Sequence, residues 1–435
     1  MKIRNKIGVI TLGCSKNSVD SERLIRQLKI NRFKIVPDPN NADIVIINTC
    51  GFIKDAKEES INTIINAIGL KNAGIIDSII VTGCLSSRYK EELGKELPEV
   101  DAFFGPEDYS GILKSLGGNL RHDLLGEREL IAPSHSAYIK ISEGCNNPCS
   151  FCAIPIMRGK YVSRPFDSLV NEAAFLASKG VKELNIIAQD TTDYGRDISG
   201  ASELSHLLDA LSKTDGVEWL RLLYTYPSRF PLEVLDIIES SPKICRYIDM
   251  PLQHISDTVL KSMRRGITSQ RTRELIDTIR TKVPQIALRT TMIVGYPAET
   301  DKDFDELYNF VKEYKFDRLG VFTYSPEEGT FGYSLGDTVP DEVKAERMEA
   351  IMELQKEISL EKNREKSGTT LKVMIDRLEG TNPGGFFIAR SEYDAPEVDG
   401  EILIKAEGQE LKEGQFCEVL INNYNEYDLY GELNN

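Results

Sequence analysis

Three short apolar runs in the first hundred residues, KIGVITLGC, ADIVIINTC and DSIIVTGC, each end in a cysteine: Cys14, Cys50 and Cys84. Their separations of 36 and 34 residues match one β-α-β step, in which a strand, a helix and the return to a parallel strand follow one another. This spacing predicts a parallel α/β domain with all three thiols at the carboxyl ends of its strands, the edge where open α/β sheets bind ligands. The plainer reading, small thiols packed behind strand ends, does not explain why all three fall at that edge.

The rest of the chain divides by pattern. Residues 1–125 form the N-terminal unit. A turn-rich stretch at LGEREL and APSHS leads into 135–365, where six apolar runs alternate with helical stretches: AYIKISEG, ELNIIAQD, WLRLLYTYP, RYIDMPLQ, IALRTTMIVGYP and RLGVFTYSP. Six such units predict an incomplete β/α barrel, with a doubly wound sheet as the alternative. The segment from Pro340 to Gly368 predicts one long helix with Asp341 as N-cap and Met348, Ile351, Leu354 and Ile358 on its apolar face. From 368 to 435 the period changes to two, in TLKVMIDRLEG, GGFFIARSEYD, EILIKAEG and FCEVLINNYNEYDLYGEL, which predicts a small all-β barrel of oligonucleotide-binding size. The expected fold class is therefore α/β, with a small all-β module at its end.

Charge narrows the partners. Lys and Arg total 53 against 68 Asp and Glu, a formal charge of -15. The last module holds five basic and fourteen acidic residues, a net of -9. Such a surface repels phosphate backbones and attracts basic proteins, so direct RNA binding is not expected. No apolar run has membrane-spanning length, and the N-terminal run Ile7–Leu12 is too short for a signal segment, which predicts a cytoplasmic protein. In that setting eight cysteines read as metal or redox ligands rather than disulfides.

The stretch SEGCNNPCSFCAIPIMRGK sets Cys145, Cys149 and Cys152 directly after the first strand of the second unit. Structural zinc takes four ligands, and completing such a site needs one of only four histidines, His122, His135, His206 or His254, from a distance. An iron-sulfur cluster fits three thiolates better, because a cubane so held keeps one iron open to a substrate or cofactor.

CxxxCxxC with an aromatic, Phe151, before its last cysteine resembles the radical S-adenosylmethionine superfamily. The contexts LGCSKNSVDSE, INTCGFIKDAKEES and VTGCLSSRY resemble the methylthiotransferases, and the C-terminal module resembles their TRAM domain. The likeness covers essentially the whole chain. It implies an enzyme, a transferase, with two 4Fe-4S clusters and S-adenosyl-L-methionine as cofactors. One cluster on Cys145, Cys149 and Cys152 would generate a 5'-deoxyadenosyl radical, and an auxiliary cluster on Cys14, Cys50 and Cys84 would present methylated sulfur. Both sets must then face one cavity. Lys16 and Asn17 after Cys14, with AQDTTDYG, DMPLQHISDTVLKSMRRG and RTTMIVGYPAET, resemble the branch that modifies the β-carbon of an aspartate in small-subunit ribosomal protein twelve. The implied partners are that basic protein, free or on the ribosome, with a sulfur donor and a reductase whose identities the residues do not reveal. A transfer-RNA adenosine as target, and a non-catalytic iron-sulfur or zinc sensor, remain the competing readings.

Phe151, Gln189 and Arg289 are the candidate cofactor contacts, and Asp190, Thr290 and Thr291 stand beside them at strand ends. Each of these polar groups is also an ordinary way to satisfy local backbone. His254 is a conceivable general base or a structural hydrogen-bonding group. Gly295, in VGYP, offers a close approach to the backbone. Cys245 and Cys417 lie in apolar segments and read as core.

Overall fold

The computed structural model describes residues 5–131, 134–381, 384–406, 408 and 410–434. Residues 1–4 at the start of the first unit, Ala132 and Pro133 in APSHS, Glu407 in EILIKAEG and Asn435 at the end of the last unit therefore lie outside the described residues.

The N-terminal sheet is parallel, with the order β2 (Lys34–Val36), β1 (Lys6–Thr11), β3 (Ile44–Thr49), β4 (Ser78–Gly83), β5 (Ala102–Phe103). Apolar side chains of β3 and β4 fill both faces, as continuous Ile and Val runs require. The order reverses between β1 and β3, so the crevice outside their carboxyl ends is the ligand-binding switch point of such a sheet. Helices α1 (Ser15–Ile30), α2 (Lys54–Asn72) and α3 (Cys84–Arg88) start at or just beyond the three cysteine positions.

The central sheet runs β6 (Ser136–Lys140), β9 (Glu183–Ile187), β10 (Trp219–Leu222), β11 (Ile244–Asp249), β12 (Ala287–Val294), β13 (Arg318–Thr323), all parallel. Spatial order follows chain order. Every crossover thus steps the same way and the helices collect on one face, which makes an open six-unit barrel and excludes the doubly wound alternative. The large core lies between that helical face and the sheet. A short antiparallel ribbon, β7 (Ser142–Glu143) with β8 (Val162–Ser163), brackets the three-cysteine loop.

The long helix spans Asp341–Lys366 and buries Ile351, Leu354 and Ile358 against this core, with Met348 partly covered. Its N-cap position is Pro340, and Asp341 is already the first helical residue. The expected side-chain cap is thus replaced by a proline whose fixed φ pre-sets the turn and by Asp341 and Glu342 facing the helix dipole. Gly368, at φ +82°, follows the helix end.

Five strands, β14 (Thr370–Glu379), β15 (Phe386–Ser391), β16 (Ile402–Lys405), β17 (Phe416–Tyr424) and β18 (Leu429–Leu433), close into a barrel in the order β14-β15-β16-β18-β17. The last apolar run is two strands, split where Asn425 Oδ1 accepts the N–H groups of Tyr427 (2.7 Å) and Asp428 (2.6 Å). This barrel covers the amino ends of the central strands. Trp219, Cys245, Tyr247 and Ala287 pack there with Met374 and Ala395. Cys245 is core, 1% exposed, and Cys417 packs at the edge of the small barrel's interior. The N-terminal domain covers the opposite, carboxyl ends, where α1 packs on β6 and Val19 joins Ile187 and Leu223. No described helix is long and apolar enough to cross a membrane.

Candidate functional site

Cys14 occupies the N-cap position of α1, Cys50 follows β3, and Cys84 opens α3. Their strand ends converge because the backbone has been kept bare. A Cβ on Gly13, which sits at φ +91°, would stand 2.6 Å from Cys50 Cβ, so only glycine lets β1 approach β3 this closely. Asn17 ties the same ends by donating to the carbonyls of Leu12 (2.7 Å) and Thr49 (3.1 Å). Ser60 of α2 accepts from the Cys50 N–H (3.1 Å) and donates to its carbonyl (2.9 Å). Burial pushes the Cys50 thiol up and the Cys84 thiol up to about 11.

The second set sits on the loop between β7 and β8. Gly144, at φ +73°, turns the chain into it against Lys160, whose carbonyl oxygen would lie 2.1 Å from any Cβ. Asn147 donates its backbone N–H to Cys145 Sγ (3.4 Å), while its side chain donates to Asp190 Oδ2 (2.6 Å). Arg265, buried, donates to Cys149 Sγ (3.3 Å), and Tyr226 OH lies 3.4 Å from the same sulfur. Burial pushes Cys145 up to about 11 and, with neighbouring Cys149, Cys152 up to about 12. Buried thiols of this kind become ligands only when a cationic centre takes the place of their protons, which is the chemistry a metal cluster supplies.

The two sets come close at one short helix. Ala153 and Met157 pack against Cys84, and Ala153 is the residue after Cys152. Arg158, at the end of that helix (Ile154–Arg158), donates Nε to Cys84 Sγ (3.2 Å), Nη1 to both oxygens of Glu143 (2.9 and 3.0 Å), and Nη2 to Asn17 Oδ1 (2.6 Å) and Asp20 Oδ2 (3.1 Å). Every donor atom of the guanidinium is therefore used. Asp20, Glu107 and Glu143 bring carboxylate oxygens within 4.8 Å of one another, but Lys140 Nζ lies among them, 2.8 Å from Glu107 and 2.6 Å from Glu143, and bonds Asp20 as well. An ammonium group, not a metal ion, balances that cluster. Burial alone would raise Glu143, yet Lys140 and then Arg158 hold it down to about 2.

Arg158→Lys keeps the charge and loses the fork that serves Cys84, Glu143, Asn17 and Asp20 together. It is expected to weaken metal retention by the Cys14, Cys50, Cys84 set about 10- to 100-fold. Iron per chain after a chelator challenge measures this, and undiminished retention would remove Arg158 from the site.

The other candidate residues have diverse surroundings. Gln189 donates to Glu143 Oε1 (2.9 Å), and its own Oε1 is buried with no partner among the described residues. Phe151 is half-buried against Val259, Met263, Tyr296 and Tyr324. Arg289 pairs with Asp249 Oδ1 (3.1 Å) and with Asp399 Oδ1 (3.4 Å) of the C-terminal barrel, which commits its guanidinium to a domain junction. Asp190 anchors Asn147 and Thr192. Thr290 Oγ1 donates to the Met250 carbonyl (2.9 Å), and Thr291 accepts the Gln253 N–H through its carbonyl (2.8 Å). His254 is fully buried, with Nδ1 accepting from Ser256 N–H (3.0 Å) and Nε2 3.3 Å from Glu299, a structural setting. The group that approaches Gly295 is the Lys344 side chain of the long helix. Sequence reasoning missed Arg158 and Arg265. Arg158 carried a signal, six residues past Cys152 in the same loop; Arg265 carried none, because only folding brings it to Cys149.

A sequential open barrel with a three-cysteine loop after its first strand defines the class. Residues 139–311 match the radical SAM superfamily, residues 6–105 match the uncharacterized protein family UPF0004, and residues 368–433 match the TRAM domain. In overall fold the chain is similar to the radical S-adenosylmethionine methyltransferase TsrM from Kitasatospora setae, with TM-score 0.56 and 14% identity over 73% of this chain and 72% of that one. It is likewise similar to the cobalamin-dependent radical enzyme OxsB, with TM-score 0.53 and 12% identity over 81% and 56%.

Full-length relatives are far more similar. The ribosomal protein uS12 methylthiotransferase RimO of Cytophaga hutchinsonii is 54% identical over 99% of this chain and 98% of its own, and that of Flavobacterium psychrophilum is 53% identical over the same shares. The chain belongs to the RimO family of radical SAM methylthiotransferases.

Proposed function

We propose that this enzyme methylthiolates the β-carbon of an aspartate in ribosomal protein uS12, with Cys145, Cys149 and Cys152 holding one 4Fe-4S cluster and Cys14, Cys50 and Cys84 holding a second. The observation that carries this reading is the contact of Cys84, from the first three-cysteine set, with the helix Ile154–Arg158 that directly follows the second. Each set offers three sulfurs, and each has one sulfur bonded by a buried guanidinium, Arg158 at Cys84 and Arg265 at Cys149. When bound, the clusters and S-adenosylmethionine supply the one-electron cleavage, the removal of hydrogen from carbon and the sulfur to be transferred. The chain's own residues orient and enclose. Asn147 and Asp190 fix the Cys145 loop, the β7–β8 ribbon pins its ends, and the N-terminal domain covers the carboxyl ends of the barrel strands to limit water at a reactive site. The acidic C-terminal module suits a basic ribosomal protein and disfavours a nucleic acid.

The test uses anaerobically reconstituted protein with reductant, S-adenosylmethionine, sulfide and a peptide of the uS12 target loop. The expected result is one methylthio group in place of hydrogen on the aspartate, read by mass spectrometry. Cleavage of S-adenosylmethionine with unmodified peptide, together with modification of transfer RNA, would overturn the substrate.

A further inference from the structure

The proposed substrate side chain is an anion, and the domain interface that would receive it already holds Asp20, Glu107 and Glu143. Lys140 and Arg158 already balance those carboxylates, so a further carboxylate entering there needs a cation of its own. Three cations buried at this interface are engaged: Lys140 by three carboxylates, Arg158 by Cys84, Asn17, Asp20 and Glu143, Arg265 by Cys149 and the Pro251 carbonyl.

Lys16 is different. It lies in the first turn of α1, two residues past Cys14, and is only 7% exposed. Among the described residues no hydrogen-bond or ion-pair partner reaches its Nζ, which stands instead over the ring of Tyr224, 2.8 Å from the centroid. Long cationic side chains are seldom this buried without an anionic partner. The Lys16 Nζ is not among the enclosed unpartnered atoms, so the ammonium keeps an accessible side opposite the aromatic face that holds it.

Tyr224 itself is held in place against a backbone preference. Its φ is +58°, uncommon for an aromatic residue. Its N–H donates to Asp249 Oδ2 (3.0 Å), and its carbonyl accepts from the Thr191 N–H (3.0 Å) and hydroxyl (3.1 Å). Strain maintained by such fixed partners is characteristic of positioned functional groups. The ring and the ammonium it carries stand just beyond the carboxyl end of β10, on the side of the barrel that carries the cysteine loop.

We propose that Lys16 is the residue that recognises the target side chain: its ammonium pairs with the substrate aspartate carboxylate and so holds the β-carbon beside the Cys14, Cys50, Cys84 set. This rests on the protein-aspartate reading above and deepens it, since it assigns the selection of a carboxylate to one buried cation. Lys16 is thus a specificity residue, and none of the bond-making steps runs through it.

The test compares two peptides of the uS12 target loop, one with aspartate and one with asparagine at the modified position, on reconstituted wild type, Lys16→Gln and Lys16→Arg. Fluorescence anisotropy gives binding, and mass spectrometry gives KM and kcat separately. Wild type is expected to bind the aspartate peptide about 10- to 100-fold more tightly than the asparagine peptide, the scale of a charge-assisted hydrogen bond. Lys16→Gln should bind the two equally, and Lys16→Arg should keep the aspartate preference. An aspartate preference undiminished in Lys16→Gln would overturn the role of Lys16 while methylthio transfer by the wild type leaves the function standing. Wild type that binds and modifies neither peptide would overturn both. Should Lys16→Gln fail to hold iron, Lys16→Met, uncharged and of similar length, takes its place, and an aspartate preference undiminished there overturns the assignment.

Discussion

Replacing Cys50 with alanine is expected to lower methylthio transfer at least about 1,000-fold, as for removal of one member of a unit that acts together, while 5'-deoxyadenosine is still released. Cys50 is the central thiol of its set by position: β3 lies between β1 and β4, and the Cys50 side chain is the one that Gly13 makes room for. Its backbone is fixed by Ser60, which bonds both its N–H and its carbonyl. Cys145, Cys149 and Cys152 keep their own loop, ribbon and hydrogen bonds, none of which involves Cys50. The variant should hold about half the iron of the wild type, by the two-cluster reading. Transfer at wild-type rate with that iron content would show that the N-terminal set is not the sulfur-presenting one.

The second large effect concerns stability. Glu183, the first residue of β9, is wholly buried and accepts from Arg221 Nε (3.0 Å), Arg390 Nη2 (2.8 Å) and Ser136 Oγ (2.8 Å). Arg390 belongs to the C-terminal barrel and also bonds Asp376. Glu183→Ala leaves two guanidinium groups buried beside each other without their shared counterion, a change of the kind that costs about 3–5 kcal/mol. Chemical denaturation should show that loss, and the covering of the amino ends by the small barrel should weaken first, read as faster proteolysis between the long helix and β14.

The pH dependence follows from the same group. Burial by itself would raise the Glu183 carboxyl, but Arg390 and Arg221 hold it at about 2, below its ordinary 4.5. Glu172 behaves alike, opposed by burial and held at about 2 by Arg164, Arg23 and Arg128. A carboxylate whose folded value is depressed binds its proton more readily when unfolded. Its stabilisation is complete above about 4.5 and is lost as pH falls toward about 2. Unfolding midpoints should therefore fall steeply across that window in the wild type, and less steeply in Glu183→Gln. Equal slopes would remove Glu183 from the acid transition.

The order of elements was legible because apolar periodicity is a local property. Six runs in the middle of the chain became six parallel strands, and the spacing of Cys14, Cys50 and Cys84 set them at three strand ends. Boundaries were less legible. The final run reads as one strand until Asn425 bonds its own following backbone and folds it in two. The Asp341 cap failed for a related reason, since Pro340 occupies the position a capping side chain needs.

Local pattern alone was enough to place the six cysteines, three at parallel strand ends and three in one loop, and with them the class of chemistry the chain resembles. Which groups act on those sulfurs is settled by folding. Arg265 reaches Cys149 across 116 positions, Arg158 reaches Cys84 across 74, and Lys16 meets Tyr224 across two domains. Ligand spacing is written along the chain because a loop of a few residues must carry it. Charge pairing and burial depend on distance in space, and no local pattern records which buried cation is left without a partner until the domains have closed on one another.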